Sequence, residues 1–308
     1  MLSLILAAAL LSDPVATPVT LPVEPAPLHG TLLTPSGDTR AAALIIAGSG
    51  PTDRDGNSPL GVSASSYRLL AEGLAARGVA TVRTDKRGVA ASASSLISEA
   101  ELKFTDYADD ARAWAAETAR LTSQPCAWLI GHSEGALVAL VAASRDNDAI
   151  CGLVLLSGAG RPIGAVLREQ LATAPEPFLS QALTILAELE AGRPVAEVPP
   201  QLAALFRPSV QPYMISWLPL DPAELVATYR GPVMIGHGST DIQVGVADAN
   251  ALAAARPDAT LTIWEGVNHL LKVAPADRVA NAATYRDPDL PLAPGVVDDV
   301  AGFILDPR

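Results

Sequence analysis

Gly131-His132-Ser133-Glu134-Gly135 decides the fold of this chain. The pentapeptide is a G-x-S-x-G with informative flanks. Before it runs Cys126-Ala127-Trp128-Leu129-Ile130, a short apolar segment that reads as a buried strand. After it, Ala136 to Ala143 is apolar throughout and reads as a buried helix. Strand, tight turn and helix are the setting of a nucleophile elbow. The turn is too sharp for side chains at Gly131 and Gly135. The serine is then thrust out at the carboxyl end of the strand, with a helix N-terminus behind it.

Outward from the elbow, strands and helices alternate. Val19 to Leu33 reads as two strands broken by Pro25-Ala26-Pro27. Ala41 to Ala47 is a continuous apolar run, as in a strand buried on both faces. A Gly-, Pro- and Asp-rich loop follows from Gly48 to Gly61. Tyr67 to Ala76 has helical spacing, with Arg77-Gly78 closing it. Val79 to Thr84 is the next strand. Thr105-Asp106 is expected to cap a helix running to about Leu121. Strands are expected at Gly152–Leu156, Pro232–Gly236 and Thr260–Trp264, and helices at Val246–Ala255 and Val296–Ile304. This alternation implies a mostly parallel, doubly wound sheet. Residues 161–229 interrupt it. They hold helical pieces such as Ala165–Ala172 and Pro177–Glu190, separated by prolines at 194, 199, 200, 208 and 212. This stretch reads as a helical cap inserted over the carboxyl edge of the sheet, between core segments 17–160 and 230–308.

Composition excludes some partners. The chain has 308 residues, 49% hydrophobic and 18% charged, with a net charge of −12. No basic stripe is available to neutralise phosphates, so nucleic acid is not an expected partner. Acidity also argues against docking on an anionic membrane. Met1 to Leu11 is almost wholly apolar, too short to span a bilayer, and suits a signal peptide within residues 1–16. That predicts a periplasmic or secreted protein; without cleavage and export it would be cytoplasmic. Cys126 and Cys151 each open an expected strand. They read as two buried small apolar side chains, with a bridge as the alternative if the strands are parallel neighbours.

A serine hydroxyl needs a base to take its proton. The chain has four histidines. His29 lies on an N-terminal strand, and His132 sits inside the elbow. His237 ends a strand, and His269 lies in a loop after the last strand, where catalytic groups of such sheets are presented. His269 is therefore the expected base. The orienting acid should fall between serine and histidine in the chain. Asp241 has the strand-end placement. Its competitors do not: Asp221 sits in a helix-cap pattern, Asp248 on a helix and Asp258 in a turn. Oxyanion donors are expected from the backbone N–H of Glu134 and of Ser49, the latter in the loop Gly48-Ser49-Gly50-Pro51. No cluster with metal-ligand spacing is visible, and neither metal nor cofactor is required.

At these residues the sequence resembles bacterial α/β-hydrolase carboxylesterases, a group that includes proteins under the serine aminopeptidase S33 heading. Gly48 to Asn57 resembles their G-S-G-P-x-D-R-D-G loop, and Asp85-Lys86-Arg87-Gly88 their D-x-R-G turn. Gly131 to Gly135 matches G-H-S-E-G, Asp241 to Val244 matches D-x-Q-V, and Gly266 to Lys272 matches G-x-N-H-x-L-K. Ala47 departs from the pattern, standing where a His-Gly loop is common. The resemblance implies an α/β-hydrolase fold with a Ser133–Asp241–His269 triad, cleaving small-molecule carboxylic esters through an acyl-enzyme. Peptide or thioester cleavage on the same triad, or a non-catalytic binding protein of this fold, are the alternatives. Arg54 and Asp55 are expected to support the oxyanion loop, either as a local pair or with Arg54 paired to Glu134. Oligomeric state is not legible.

Overall fold

A computed structural model describes residues 13–96, 98–145 and 148–307 of the chain. The apolar segment read as a signal peptide, Met1 to Leu11, lies outside the described residues.

The strands are β1 (Val15–Leu21), β2 (Leu28–Thr34), β3 (Ala41–Ile46), β4 (Asn57–Ser58), β5 (Val62–Ser63), β6 (Val79–Thr84), β7 (Ala127–His132), β8 (Ile150–Leu156), β9 (Val233–Gly238) and β10 (Thr260–Trp264). Eight of them form one sheet in the order β1-β2-β6-β3-β7-β8-β9-β10, while β4 and β5 pair as a separate hairpin. β2 runs antiparallel to both neighbours, and every pair from β6 to β10 is parallel. This is the α/β-hydrolase fold expected from the sequence. The first strand begins at Val15, earlier than its sequence suggested.

Helices α1 (Ser66–Ala75) and α11 (Val296–Leu305) cover one face; α2 (Phe104–Thr122), α3 (Glu134–Ala143) and α9 (Val246–Ala255) cover the other. The continuous apolar runs follow from this. Leu44 and Ile46 of β3 point into one core, whereas Ala43, Ile45 and Ala47 point into the opposite one. Period-two alternation buries both sets when helices cover both faces.

α2 starts one residue before the expected cap. Lys103 is the cap residue, and Asp106 reaches back to accept from the Lys103 N–H at 2.8 Å. Asp106 thus satisfies a free amide from the helix's third position, the reciprocal half of a capping box.

Between β8 and β9 lie α4 (Ile163–Leu171), α5 (Phe178–Glu190), α6 (Ala203–Phe206), α7 (Gln211–Trp217) and α8 (Pro222–Thr228). The first four share an apolar cluster that includes Leu186, Leu189, Phe206 and Met214. Tyr213 of α7 and Val226 of α8 pack instead into the body, on the α2–α3 side. One further helix, α10 (Arg278–Ala283), follows the His269 loop and has no counterpart in the sequence reading.

The cysteines are not free. Cys126 and Cys151 form a disulfide with an S–S distance of 1.98 Å and Cα atoms 5.2 Å apart. β7 and β8 are parallel neighbours, which sets the two residues side by side at the strand starts. That adjacency is a property of strand order, which cysteine spacing does not encode.

Candidate active site

The elbow is built from backbone strain. Ser133 sits between β7 and α3 with φ 55° and ψ −121°. A non-glycine residue held there costs on the order of 1–3 kcal/mol and persists only where its surroundings enforce it. The glycines are required by close approach. A Cβ on Gly131 would lie 2.2 Å from the Gly135 carbonyl oxygen, and one on Gly135 would lie 2.3 Å from that of Ile46.

The Gly48 loop abuts the elbow. A Cβ on Gly48 would stand 3.2 Å from Ser133 Cβ. Ser49, Ser133 and Glu134 form one side of a cavity of about 210 Å³, and Val166, Met214 and Trp217 line the helical side.

His269 lies in the turn after β10. Its Nδ1 donates to Asp241 Oδ2 at 2.7 Å. The other carboxylate oxygen of Asp241 accepts the amides of Gln243 at 2.8 Å and Val244 at 3.0 Å. Burial pushes the Asp241 carboxyl up, but His269 and these two amides outweigh it and hold it below the ordinary range. With Nδ1 committed to the carboxylate, Nε2 is the ring nitrogen left to accept a proton. Asn268 shapes the loop: its Oδ1 accepts the amides of Leu270 and Lys272, and its Nδ2 donates to Thr284 Oγ1 at 2.8 Å.

The competing acids are engaged elsewhere. Asp221 accepts the amides of Ala223 and Glu224 at the start of α8. Asp248 binds the Gly160 amide and Arg161. Asp258 pairs with Arg256. Of the other histidines, His29 lies on β2, and His237 is buried at the end of β9 with Nε2 donating to the Val244 carbonyl at 2.9 Å.

His132 lies inside the elbow, beside Ser133 in the chain. Its Nε2 contacts the backbone carbonyl of His269 at 2.7 Å, and its Nδ1 contacts Tyr67 Oη at 2.8 Å. Tyr67 Oη also accepts the Gly48 N–H at 3.0 Å. Burial, helped by the nearby His269 ring, lowers the His132 pKa to about 3, so the ring is neutral. Because a carbonyl only accepts, the proton sits on Nε2, and the Tyr67 hydroxyl must donate to Nδ1. The Gly48 loop, α1, the elbow and the His269 loop are thereby joined in one chain of bonds.

Arg54 does not reach Glu134. Its backbone N–H and guanidinium bind Asp85 at 2.8, 3.1 and 2.5 Å, and it also donates to Thr31. Nor do Arg54 and Asp55 pair with each other: Asp55 is held by Arg83 at 2.6 Å. The cation beside Glu134 is Lys86, 3.4 Å from Oε1, which also donates to the Gly48 carbonyl at 2.5 Å. The sequence pointed to a charge partner for Glu134 but chose the wrong residue. Lys86 is the variable position of the Asp85–Gly88 turn, and only the β6–β3 pairing brings it behind the loop. Among the described residues, no group of three or more His, Cys, Asp or Glu side chains could hold a metal ion. Among them, too, no helix is long and apolar enough to cross a membrane.

The model of a hydrolase family described as serine aminopeptidase, S33, matches residues 60–286, beginning after the Gly48–Asn57 loop. No curated protein matches in sequence. Among solved structures, the chain is similar to Est1E from Butyrivibrio proteoclasticus, at 19% identity and a TM-score of 0.59 over 94% of this chain and 97% of that one. It is also similar to the esterase domain of a Rhodothermus marinus protein, at 19% identity and a TM-score of 0.52, covering 88% and 95% of the two chains. A third is 2-hydroxy-6-oxo-6-phenylhexa-2,4-dienoate hydrolase from Rhodococcus sp. strain RHA1, at 16% identity and a TM-score of 0.54, covering 85% and 94%. At these identities the likeness speaks for the fold alone.

Proposed function

Because the chain belongs to the serine aminopeptidase S33 family of hydrolases, we propose that it is a serine hydrolase that cleaves carboxylic esters of small acyl groups through an acyl-enzyme. One observation carries this reading. A strained serine opens on an apolar cavity, in a framework where one hydrogen-bonded network joins its elbow to a glycine loop and to a carboxylate-bound histidine.

In this mechanism Ser133 Oγ attacks the ester carbonyl as His269 Nε2 takes its proton. Asp241 holds the ring in that tautomer and stabilises the imidazolium. The amides of Ser49 and Glu134 meet the oxyanion. His269 then protonates the leaving alkoxide, and water repeats the sequence on the acyl-enzyme.

The cavity favours esters over peptides with a free N-terminus, despite the family's name. An α-ammonium needs an unpaired carboxylate to receive it. Among the described residues that line the cavity, the one carboxylate is Glu134, and Lys86 holds it; the one arginine, Arg161, is itself paired with Asp248 and Glu169. At about 210 Å³ the cavity is smaller than the roughly 300–1,000 Å³ of sites for drug-sized ligands. That favours a short acyl chain. The disulfide and the apolar Met1–Leu11 segment together support an extracytoplasmic location.

A fluorophosphonate probe should label the protein and fail on Ser133→Ala. Nitrophenyl esters of rising acyl length, run beside aminoacyl anilides, should give turnover on the short esters. Absence of labelling would leave a non-catalytic binding protein; preference for the anilides would restore the peptidase reading.

A further inference from the structure

We propose that Lys86 is a positioning residue of the oxyanion hole, gripping from behind the peptide unit whose N–H meets the oxyanion. The proposal rests on the hydrolase reading above. It concerns a side chain to which the sequence assigned no role.

Lys86 is the second residue after β6, and its side chain is 7% exposed. Its base is fixed because the preceding residue, Asp85, is clamped by Arg54. Its ammonium has three neighbours: the Gly48 carbonyl oxygen at 2.5 Å, Glu134 Oε1 at 3.4 Å, and the Tyr107 ring, whose centroid is 5.1 Å away.

The Gly48 carbonyl belongs to the same peptide unit as the Ser49 N–H. That unit is planar and trans, so its C=O and N–H point in opposite directions. Whatever holds the oxygen therefore aims the hydrogen. A cation at the oxygen also draws charge through the amide and makes the N–H a stronger donor. The same ammonium reaches Glu134, the first residue of α3, whose own amide is the second donor. One side chain thus ties both donors together. The other side of Gly48 is held as well, since its N–H is bonded to Tyr67. A merely structural neutraliser of Glu134 would not need to sit on that carbonyl.

Three variants separate the roles. Lys86→Met removes the cation. Lys86→Gln leaves a neutral donor for Gly48. Lys86→Met combined with Glu134→Gln removes both charges and so leaves no uncompensated anion buried. Each is checked by circular dichroism melting, and any one that folds decides the question. The readouts are kcat and KM on a short nitrophenyl ester, and the inhibition constant of a matching trifluoromethyl ketone, whose adduct with Ser133 places its own oxyanion in the hole. A matching non-electrophilic amide reports ground-state binding.

Loss of one oxyanion donor typically lowers kcat by about 10²–10³-fold, so mis-aiming a donor should cost at least ~10-fold. The expected result is that fall in kcat, with KM and amide binding within about twofold. Ketone affinity should weaken in parallel with kcat, and Lys86→Gln should fall in between. A folded variant with unchanged kcat and ketone affinity overturns the proposal. So does a parallel loss of amide binding, which would mean general disorder of the site. If the wild-type protein neither turns over esters nor takes the fluorophosphonate label, it is the hydrolase reading that has failed.

Discussion

The Tyr67 hydroxyl donates to His132 Nδ1 across 2.8 Å while accepting the Gly48 amide at 3.0 Å, so one phenol joins the residue before Ser133 to the loop that faces it. Both partners are buried, and burial also pushes the Tyr67 hydroxyl well above its usual range, which keeps it protonated. Tyr67→Phe keeps the ring packing but strands the His132 lone pair and the Gly48 N–H. Each buried orphan costs about 1–3 kcal/mol. Urea denaturation should show a loss of at least ~1 kcal/mol. The released loop should also lower kcat on short esters more than it raises KM, because the loop is proposed to act on the oxyanion.

The same ring makes stability depend on pH. His132 has a pKa of about 3 in the folded protein, against an ordinary value of about 6.5 in the unfolded chain. Between those values the unfolded chain binds a proton at this site and the folded one does not. Stability must therefore fall as the pH drops from about 6.5 towards 3, by up to ~1.4 kcal/mol per pH unit from this group alone. Asp241 adds at the acid end. Its folded pKa is depressed, so its contribution is present above the unfolded value and is lost as the pH falls through the folded one. His132→Gln can still accept from Tyr67 and donate to His269, but it does not titrate. Urea unfolding at pH 4 to 6.5 should be flatter for this variant by about one proton's worth of slope; equal slopes would refute the assignment.

The disulfide should matter to stability and not to chemistry. It closes a chain separation of 25 residues, which by loop entropy stabilises by about 3–4 kcal/mol. It joins the starts of the two strands, whereas Ser133 follows the far end of β7. Six residues at roughly 3.3 Å each put about 20 Å between them. The double variant Cys126→Ala, Cys151→Ala should melt several degrees lower while retaining kcat and KM at 25 °C. A loss of activity in the folded variant would show coupling along β7.

What could be read from the sequence was whatever is encoded locally. The elbow was legible because two glycines, one serine and the apolar flanks lie within a few residues. The late Asp and His were legible because so few candidates stood at strand ends. The partners of Glu134 and of the Gly48 loop were not. Lys86 lies just past the end of a neighbouring strand and Tyr67 on α1; both come behind the loop only through the crossover that places β6 beside β3. Helix α2 likewise begins where Asp106 bonds backwards to Lys103, which a forward reading of Thr105-Asp106 as the cap inverts. The contacts of His132 are equally hidden, because Tyr67 and the His269 backbone are distant in the chain.

Acyl preference should follow the helical wall of the cavity. Val166 of α4 is 3% exposed and lines the same cavity as Ser133. Val166→Phe projects a ring into space that a longer acyl chain would occupy. Overpacking of this kind costs about 1–3 kcal/mol where there is no room, but here the added atoms face an opening. Melting should therefore change little. Turnover of hexanoate should fall more steeply than that of acetate, with the loss mainly in KM, since the wall touches the acyl tail in ground state and transition state alike. One methylene in such a pocket is worth about 1–3 kcal/mol, so the acetate-to-hexanoate ratio of kcat/KM should shift by at least ~10-fold. An unchanged ratio would mean that the acyl group lies elsewhere, and that this cavity holds the alcohol.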